Sequence, residues 1–519
     1  MMNKPELTVL DNSNIVESYP GVTLPLTISF VKKAYSGVFK GAIGASLKNN
    51  GILSQFEPVF ENMLADYQGR IYYRINNWYS LIDFMPFSKK ITPIWQDMMG
   101  VQSKEVYLGA QYKFTVWQKA KLYINLLINW LRVPRDMKQL EQDFAGVLEY
   151  YNTTYSESLS IGELLALYHE IEHRVLDKWY VTLYNDMYAF IWTGLLKSRL
   201  AGKGADVARY ISGITSLESL KPIRDLLAIT QKYGDDADIL ANPEVQRYIK
   251  IYGDRSPCEL KLETATYRED PSLLEKQIRD YASDKTKLAD MICNLDKSDA
   301  PEVKGGFFAK RAQIGIRNRE VSRLNRSRIY GMIRRICNRI GGILCREEWI
   351  DEGFDVFYLD LQEIEDGDYR AFREAIARRK ADYEEFEKLP GHTRLLFRGD
   401  RLIDGTIAES WTGSFHGVGT SMGSVTAEAV VLDAPDRGID VKGKIIVTKT
   451  TDPGWVFLLA MASGIIAEKG SLLSHTAIVS RELNIPAVVA VDGATAAIKT
   501  GDIVKLDGYT GRVEIVQAN

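Results

Sequence analysis

A histidine opens an amphipathic helical run in the stretch Gly470-Ser471-Leu472-Leu473-Ser474-His475-Thr476-Ala477-Ile478-Val479-Ser480-Arg481-Glu482. The segment just before it, Gly464-Ile465-Ile466-Ala467-Glu468, is apolar and typical of a buried strand. His475 therefore stands on a predicted strand-to-helix turn. There, the free N–H groups and the positive end of the helix dipole favour a bound phosphoryl group. Ser474 can cap the helix with its hydroxyl. The pattern predicts a histidine that accepts and carries phosphate; the alternative is a histidine that only caps a helix.

Length and composition restrict the class of protein. The chain has 519 residues, of which 45% are hydrophobic, so we expect two or three domains with sizeable cores. A net charge of -3 gives no reason to expect nucleic acid or a membrane surface as a partner. The four cysteines form no C-x-x-C pair, which favours a reducing compartment. The first residues do not have the pattern of a signal peptide, and no apolar run is long enough to span a bilayer. These features predict a cytoplasmic protein.

The texture of the chain changes near residue 400. Residues 30–390 show helical periodicity, as in the apolar series from Ile329 to Ile340, with short strand-like pieces such as residues 70–75. Beyond residue 415, β-branched runs alternate with glycine turns. The predicted strands there are Val425–Leu432, Lys444–Thr451, Gly464–Glu468, Pro486–Val491, Asp502–Leu506 and Arg512–Val516, with helices after Ser474 and near Ala494–Lys499. The fold class predicted is multidomain: a large, mainly α-helical domain at 1–395, a hinge or linker at 396–412, and a small α/β domain at 413–519.

The histidine stretch resembles the phosphohistidine signature Gly-Gly-x-x-Ser-His-x-Ala of the phosphoenolpyruvate-utilising enzymes. This superfamily includes phosphoenolpyruvate synthase, pyruvate phosphate dikinase and the rifampicin phosphotransferases. The match continues through Arg481–Val488 and is also found upstream in Thr451–Trp455, whereas Lys469 stands where the signature has its first glycine. The resemblance implies that the small domain is a swivelling phosphohistidine domain in which His475 is catalytic. It implies phosphate-supporting roles for Gly470, Ser474, Thr476 and Arg481.

The helical region resembles the substrate-binding domain of rifampicin phosphotransferases and synthase-like proteins. The segments that carry this resemblance are Asn14–Gly21, Gly69–Tyr73, Asn76–Tyr79, Met98–Val101, Tyr252–Arg255 and Arg268–Pro271. Because the matching segments begin near residue 11, the resemblance implies that ATP and Mg²⁺ are held by a separate ATP-grasp protein. It also implies that this chain binds no cofactor or metal itself. We do not expect the chain alone to convert pyruvate.

Two clusters of charged residues are candidates for binding the substrate. Arg255, Glu259, Glu263 and Arg268 could hold a polar substrate or supply a base that deprotonates an accepting hydroxyl. Structural ion pairing is the alternative for this cluster.

The second cluster lies in the arginine-rich stretch from Lys310 to Arg346. Arg319, Arg323 and Arg326 share one helix face at spacings of four and three. Planar guanidinium groups suit phosphate, whether on the phosphohistidine or on a substrate. The alternatives are a solvated face paired with nearby glutamates, and nucleic-acid binding, which the near-neutral charge does not favour.

A second pattern, His169-Glu170-Ile171-Glu172-His173, is that of zinc peptidases, with two histidines four residues apart on one helix face. No third ligand follows at the spacing of a metallopeptidase. We interpret the pattern as a charged helix face and predict no metal site.

Together these features predict a phosphotransferase component. His475 would carry a phosphoryl group from the ATP-grasp partner to a small-molecule hydroxyl or carboxylate substrate held by the helical domain. The alternative is a catalytically silent binding or regulatory module derived from a larger phosphotransferase.

Overall fold

The computed structural model describes residues 7–48, 50–83, 85–99, 114–200, 208–211, 221–255, 260–283, 285–286, 288–289, 292–293, 306–406, 414–421, 423–433, 439–451, 455–470, 474–483 and 485–518. Most of the chain before residue 390 is helical. Two helices of this region are long: one has 39 residues and another has 40. The helices are α1 (Pro25–Leu47), α2 (Asn50–Leu53), α3 (Glu57–Phe60), α4 (Ile75–Asp83), α5 (Ser88–Met99), α6 (Val116–Thr154), α7 (Ile161–Arg174), α8 (Tyr180–Leu200), α9 (Ala208–Ile211), α10 (Lys221–Tyr233), α11 (Pro243–Tyr252), α12 (Pro271–Ala282), α13 (Phe307–Arg346), α14 (Leu361–Asp366) and α15 (Phe372–Lys388).

Short 3₁₀ helices lie between several of these elements, at Ile15–Glu17, Ser54–Phe56, Leu176–Lys178, Ile239–Ala241, Gly353–Tyr358 and Tyr369–Ala371. Serine and threonine begin two of the helices as the sequence favours. Thr115 and Gln118 form a capping box at the start of α6, and Ser160 and Glu163 form another at the start of α7. The main apolar core lies where α1, α6, α7, α8 and α13 pack together.

An antiparallel sheet of five strands lies beside these helices, in the order β2-β3-β1-β4-β5. Its strands are β1 (Leu7–Asp11), β2 (Leu64–Tyr67), β3 (Arg70–Arg74), β4 (Arg394–Arg398) and β5 (Arg401–Thr406). The predicted strand at 70–75 is confirmed as β3. The linker predicted at 396–412 is wrong as far as Thr406, because β4 and β5 form a hairpin whose turn contains Gly399 at φ +60°. Leu395 is fully buried and ties the hairpin to β1. Residues 407–413 lie outside the described part of the chain.

The C-terminal domain contains a mixed sheet of eight strands in the order β6-β13-β12-β8-β9-β10-β11-β7. The strands are β6 (Ser414–His416), β7 (Val418–Ser421), β8 (Ser424–Val431), β9 (Ile445–Thr448), β10 (Gly464–Ala467), β11 (Ala487–Val489), β12 (Ile503–Asp507) and β13 (Arg512–Gln517). Its helices are α16 (Val456–Leu459), α17 (His475–Glu482) and α18 (Ala494–Ala497). All six predicted strands and both predicted helices of this domain are therefore confirmed. Strands β8, β9, β10 and β11 are parallel neighbours, and α17 connects β10 to β11.

Helices α10, α11 and α12 do not belong to the main core. Their buried residues, such as Leu226, Val245 and Leu274, form one apolar cluster with residues of the C-terminal domain, including Ile446 and Trp455. This three-helix unit is thus part of the surface on which the C-terminal domain packs. Within the described residues, no helix is both long and apolar enough to cross a membrane.

Candidate active site

His475 lies at the carboxyl edge of the parallel strands of the C-terminal sheet. The chain leaves β10, passes Gly470 at φ +135°, and enters α17 with His475 as its first residue. An L-residue rarely adopts such a φ, so a glycine at position 470 shapes the turn. Ser474 is the N-cap, and its hydroxyl accepts a hydrogen bond from the N–H of Ala477 at 3.4 Å. This edge, at the start of a crossover helix, is where open α/β sheets place ligands. The side chain of His475 lies outside the described atoms.

Two side chains near this turn fasten α17 to the rest of the C-terminal domain. The Thr476 hydroxyl is fully buried and shares a hydrogen bond of 2.7 Å with that of Thr451, which follows β9. Arg481 lies at the other end of α17, where its Nη1 donates to the carbonyl of Thr420 at 3.0 Å. Both side chains therefore hold α17 in place.

Lys469 replaces the expected glycine and connects the two domains. Its Nζ lies 2.7 Å from Oδ1 of Asp492 and 2.9 Å from the hydroxyl of Thr393, which precedes β4 of the five-stranded sheet. The lysine charge is therefore neutralised by Asp492.

A cavity of about 250 Å³ opens between the helical domain and the turn that carries His475. Three helix faces form its walls, at spacings of three and four residues. The lining includes Phe30, Ala34, Tyr35, Val38 and Phe39 of α1; Asp186 of α8; Arg319, Arg323, Arg326 and Tyr330 of α13; Tyr19, Tyr73 and Trp78; and Ser474. Because Ser474 lines the cavity, the backbone of His475 is one residue, ~3.8 Å along the chain, from that lining.

Asp186, Arg319, Arg323 and Arg326 form what we call the charged wall. Nη1 of Arg319 lies 2.7 Å from Oδ1 of Asp186. Nε of Arg326 is buried and has no hydrogen-bond partner among the described residues. Arg323 likewise has no ion-pair partner in the described parts of the chain. The three arginines thus line the cavity and are half-buried.

The carboxylate of Asp186 lines the cavity and is half-buried, with 36% of its side chain exposed. Burial raises the pKa of Asp186 above the ordinary aspartate range, while the charges of Arg319 and then Arg326 oppose that shift. The ion pair with Arg319 favours the ionised form. A carboxylate with a raised pKa inside a cavity is suited to accept a proton.

The crossing of α8 and α13 fixes this ion pair. A Cβ atom placed on Gly315 would lie only 2.8 Å from Cα of Ala189, so the two helices touch at their backbones. Asn185 strengthens the crossing by donating from Nδ2 to the carbonyl of Gly315 at 3.0 Å. Asp186 and Arg319 follow one turn away and are held together as a result.

Four tyrosines, Tyr19, Tyr35, Tyr73 and Tyr330, also line the cavity. The hydroxyls of Tyr19 and Tyr330 share a hydrogen bond, and those of Tyr35 and Tyr73 lie 3.4 Å apart. Burial raises the pKa of Tyr19 well above 10.0, and the neighbouring Tyr330 adds to the shift. The Tyr19 hydroxyl therefore stays protonated and can act as a hydrogen-bond donor at neutral pH.

The first predicted substrate cluster is not part of the cavity lining. Glu263 accepts hydrogen bonds from the N–H of Leu24 at 3.1 Å and from the hydroxyl of Thr27 at 2.6 Å, at the start of α1. Nε of Arg268 lies 3.3 Å from Oδ1 of Asp254. Glu263 and Arg268 thus have structural partners, which favours the ion-pairing alternative. Arg255 lies beside them and receives a hydrogen bond from the N–H of Tyr267 at its carbonyl, while Glu259 lies outside the described residues.

The zinc-peptidase pattern lies on α7, far along the chain from the other candidates. Nδ1 of His169 lies 3.3 Å from Glu172, and Nδ1 of His173 lies 3.3 Å from Asp177. The side chain of His173 is 82% exposed. Among the described residues, no group of three or more histidine, cysteine, aspartate and glutamate side chains could hold a metal ion.

Sequence reasoning missed Asp186, although one signal was present. It is the only acidic residue in the 21 residues of α8, a helix otherwise dominated by apolar and aromatic side chains. A single acid in such a helix needs a partner when it is buried. Its partner, Arg319, is 133 positions away in the sequence, so the pair could not be read locally.

Comparison with known proteins gives a family match in the C-terminal domain and weaker similarity over the whole chain. Residues 439–511 match the family model of the mobile domain of PEP-utilising enzymes. An uncharacterised protein of Mycobacterium tuberculosis is 22% identical over 97% of this chain, and the chain spans 61% of that protein's length. Rifampicin phosphotransferase of Bacillus cereus is 24% identical over 57% of this chain and 38% of its own length. Phosphoenolpyruvate synthase of Aeropyrum pernix is 38% identical, over 25% of this chain and 15% of its own length. The similarity is thus strongest over a short part of the chain and weak over its whole length.

Proposed function

We propose that this chain, which belongs to the superfamily of PEP-utilising enzymes, carries a phosphoryl group on His475 and delivers it into the cavity beside the charged wall. One observation supports the proposal above all others. Ser474, the residue before His475, lines the same cavity as Arg319, Arg323 and Arg326. The turn with the proposed carrier histidine and three guanidiniums of the helical domain therefore adjoin one cavity, which supports the proposal.

The charges of this site suit phosphoryl transfer. The charged wall holds three guanidiniums and one carboxylate, which leaves two positive charges in the cavity. A phosphoryl group carries about two negative charges at neutral pH. Guanidiniums and helix N–H groups can stabilise it while the transfer proceeds in line.

The phosphoryl donor in this proposal is ATP, bound with Mg²⁺ by an ATP-grasp protein. The relatives named as phosphotransferases support the transfer chemistry. Transfer by way of a histidine replaces one long-range transfer by two short ones. The chain's own residues would receive the group on His475 and hold it against the charged wall.

Chemical phosphorylation tests the carrier role without the partner. Phosphoramidate labelled with ³²P should place a phosphate on His475 that is labile in acid and stable in base. In His475→Asn this label should be absent, as judged by peptide mapping, while His173→Asn should retain it because that histidine is exposed on another domain. Retention of the label at the α17 peptide in His475→Asn would show that another residue carries the phosphate.

The donor is tested by a second experiment. Incubation of the chain with labelled ATP, Mg²⁺ and a purified ATP-grasp protein should label the same peptide, and the label should be absent when the ATP-grasp protein is left out. Labelling by ATP alone would contradict the need for a partner.

A further inference from the structure

The cavity has two chemically different sides. Besides the charged wall, the lining contains Phe30, Ala34, Val38, Phe39 and Trp78, which form what we call the apolar wall. Their rings pack edge to face: the centroids of Phe39 and Trp78 are 4.8 Å apart. An acceptor that enters this space has its body against carbon and its reactive end against the arginines.

The charges of the cavity restrict the acceptor. A phosphoryl group on His475 neutralises the two positive charges that the charged wall leaves. An acceptor with its own carboxylate or phosphate would then add an unpaired negative charge to an enclosed site. Such a charge is costly to the extent that this half-open cavity withdraws it from water. The acceptor is therefore expected to be uncharged.

The volume of the cavity restricts the acceptor as well. At about 250 Å³ it is smaller than the cavities that take drug-sized ligands, which begin near ~300 Å³. The phosphoryl group occupies part of that space during transfer. A large macrocycle does not fit with the domains in this arrangement.

We propose that the acceptor is a compact, uncharged hydroxyl compound with an apolar body, and that Asp186 accepts the proton of its hydroxyl. This inference rests on the proposed function. The acceptor oxygen forms a bond to phosphorus as the bond between phosphorus and the His475 nitrogen breaks, and that electron pair returns to the imidazole. The hydroxyl proton passes to Asp186, and the imidazole takes up one proton from solvent. After Asp186 releases its proton to solvent, the net exchange is a proton for a phosphoryl group.

Asp186 is placed for this role by contacts that do not involve α17. Its Oδ1 accepts a hydrogen bond from Nη1 of Arg319 at 2.7 Å. Among the described residues, this is the only side-chain hydrogen bond of the Asp186 carboxylate. The second oxygen is free to face the cavity that both residues line. Arg319 and Arg326 are the charges that act on it.

Binding experiments with three small probes test the acceptor class on the full chain. Inorganic phosphate stands for the phosphoryl group, and benzyl alcohol and benzoate are acceptors of the same shape that differ in charge. By calorimetry, phosphate and benzyl alcohol should bind together, whereas phosphate should weaken benzoate binding about tenfold or more, equivalent to ~1.4 kcal/mol. Benzoate binding that is unaffected by phosphate would overturn the proposal, and so would an absence of benzyl alcohol binding at millimolar concentrations.

A charge change at Asp186 sharpens this test. In Asp186→Asn the cavity has one more positive charge, so phosphate and benzoate should now bind together. Arg317→Ala, an exposed residue of the same helix, should behave as the unmodified chain does. Melting temperatures of both variants show whether they are folded. If Asp186→Asn is folded and phosphate still excludes benzoate, charge does not select the acceptor.

The outcome for the acceptor can be separated from the outcome for the carrier. Labelling of His475 by phosphoramidate requires no acceptor, so it can succeed when the charge rule fails. If the label forms on His475 and benzyl alcohol is not converted to benzyl phosphate, the carrier role stands and the acceptor class is wrong. If no label forms on His475, the proposed function itself fails.

Discussion

The turn that carries His475 and the cavity beside it are built in opposite ways. The turn comes from one continuous stretch, with Gly470, Ser474 and His475 within six residues. The cavity is assembled from Tyr19, Asp186 and other residues spread over three hundred positions of the chain. A local motif reveals the chemistry that the molecule can carry, whereas the choice of what receives the group depends on packing between distant helices. The predictions below test whether the cavity is as specific as the turn.

The largest expected effect is on transfer out of the histidine. Arg323→Ala removes a guanidinium that has no other ion-pair partner among the described residues, so its loss acts on the phosphoryl group directly. Loss of one such group slows transfer by about 10²–10³-fold in comparable sites. The rate is measured as conversion of benzyl alcohol to benzyl phosphate by the phosphorylated chain.

Two controls accompany this prediction. Arg323→Lys keeps the positive charge and loses the planar guanidinium, so its transfer rate should lie between those of the unmodified chain and Arg323→Ala. Arg317→Ala should leave the rate unchanged. If Arg323→Ala slows the loading of His475 as much as it slows transfer, the arginine serves the turn and not the acceptor site.

The helix crossing below the ion pair gives a prediction about stability. Gly315→Ala places a methyl group 2.8 Å from the backbone of Ala189, so α8 and α13 must separate. Overpacking of this kind costs about 1–3 kcal/mol in the free energy of unfolding. Gly146→Ala, at an exposed helical glycine with open space around it, should instead stabilise by roughly 0.5–1 kcal/mol. Urea unfolding measures the change in the free energy of unfolding for each variant. If Gly315→Ala stabilises the protein as Gly146→Ala does, the close crossing of α8 and α13 is contradicted.

These regions also show how far the sequence alone could lead. The strands and helices of the C-terminal domain followed from β-branched runs between glycines, and α13 followed from apolar residues such as Ile329 and Ile336 at helical spacing. The two short strands β6 and β7 were missed, because Gly417 and Gly419 interrupt any alternating pattern there. The hairpin of β4 and β5 was taken for a linker, because its glycines read as a hinge and its strand partner, β1, is at the other end of the chain.

The residues of the candidate site also differ in whether the local sequence reveals them. Ser474 and Gly470 were found because their roles depend on neighbours in sequence. Arg319 and Arg323 were found as a helix face, but nothing in the sequence says which space that face adjoins. Asp186 was missed because Arg319, the residue that pairs with it, is on another helix. Long-range pairing is therefore the part of the site that the sequence does not predict.

The tyrosines of the cavity predict a loss of stability in alkali. Unfolded tyrosine loses its proton near pH ~10, whereas burial holds the pKa of folded Tyr19 well above that value. Above pH ~10 the unfolded state binds fewer protons than the folded state, so stability falls as pH rises, by ~1.4 kcal/mol per pH unit for each such tyrosine. Tyr19→Phe should make this slope less steep by the contribution of one tyrosine, ~1.4 kcal/mol per pH unit. Tyr509→Phe, at a residue that is 72% exposed, should not change the slope. Urea unfolding as a function of pH measures the slopes. Equal slopes for all three proteins would show that Tyr19 titrates in the folded state.

The smallest expected effect concerns the contact between the two regions themselves. Nζ of Lys469 donates to the hydroxyl of Thr393, so this bond must break whenever the C-terminal domain leaves the cavity. Lys469→Met and Thr393→Val remove the same bond from opposite sides. Each should weaken docking by about 1 kcal/mol and raise the rate at which phosphoramidate labels His475 by roughly fivefold. The double variant should gain little beyond Lys469→Met, because that variant already lacks the bond to Thr393. If Lys469→Met changes the labelling rate and Thr393→Val does not, the lysine acts locally on the phosphohistidine turn, and the departure from the glycine signature concerns chemistry and not docking.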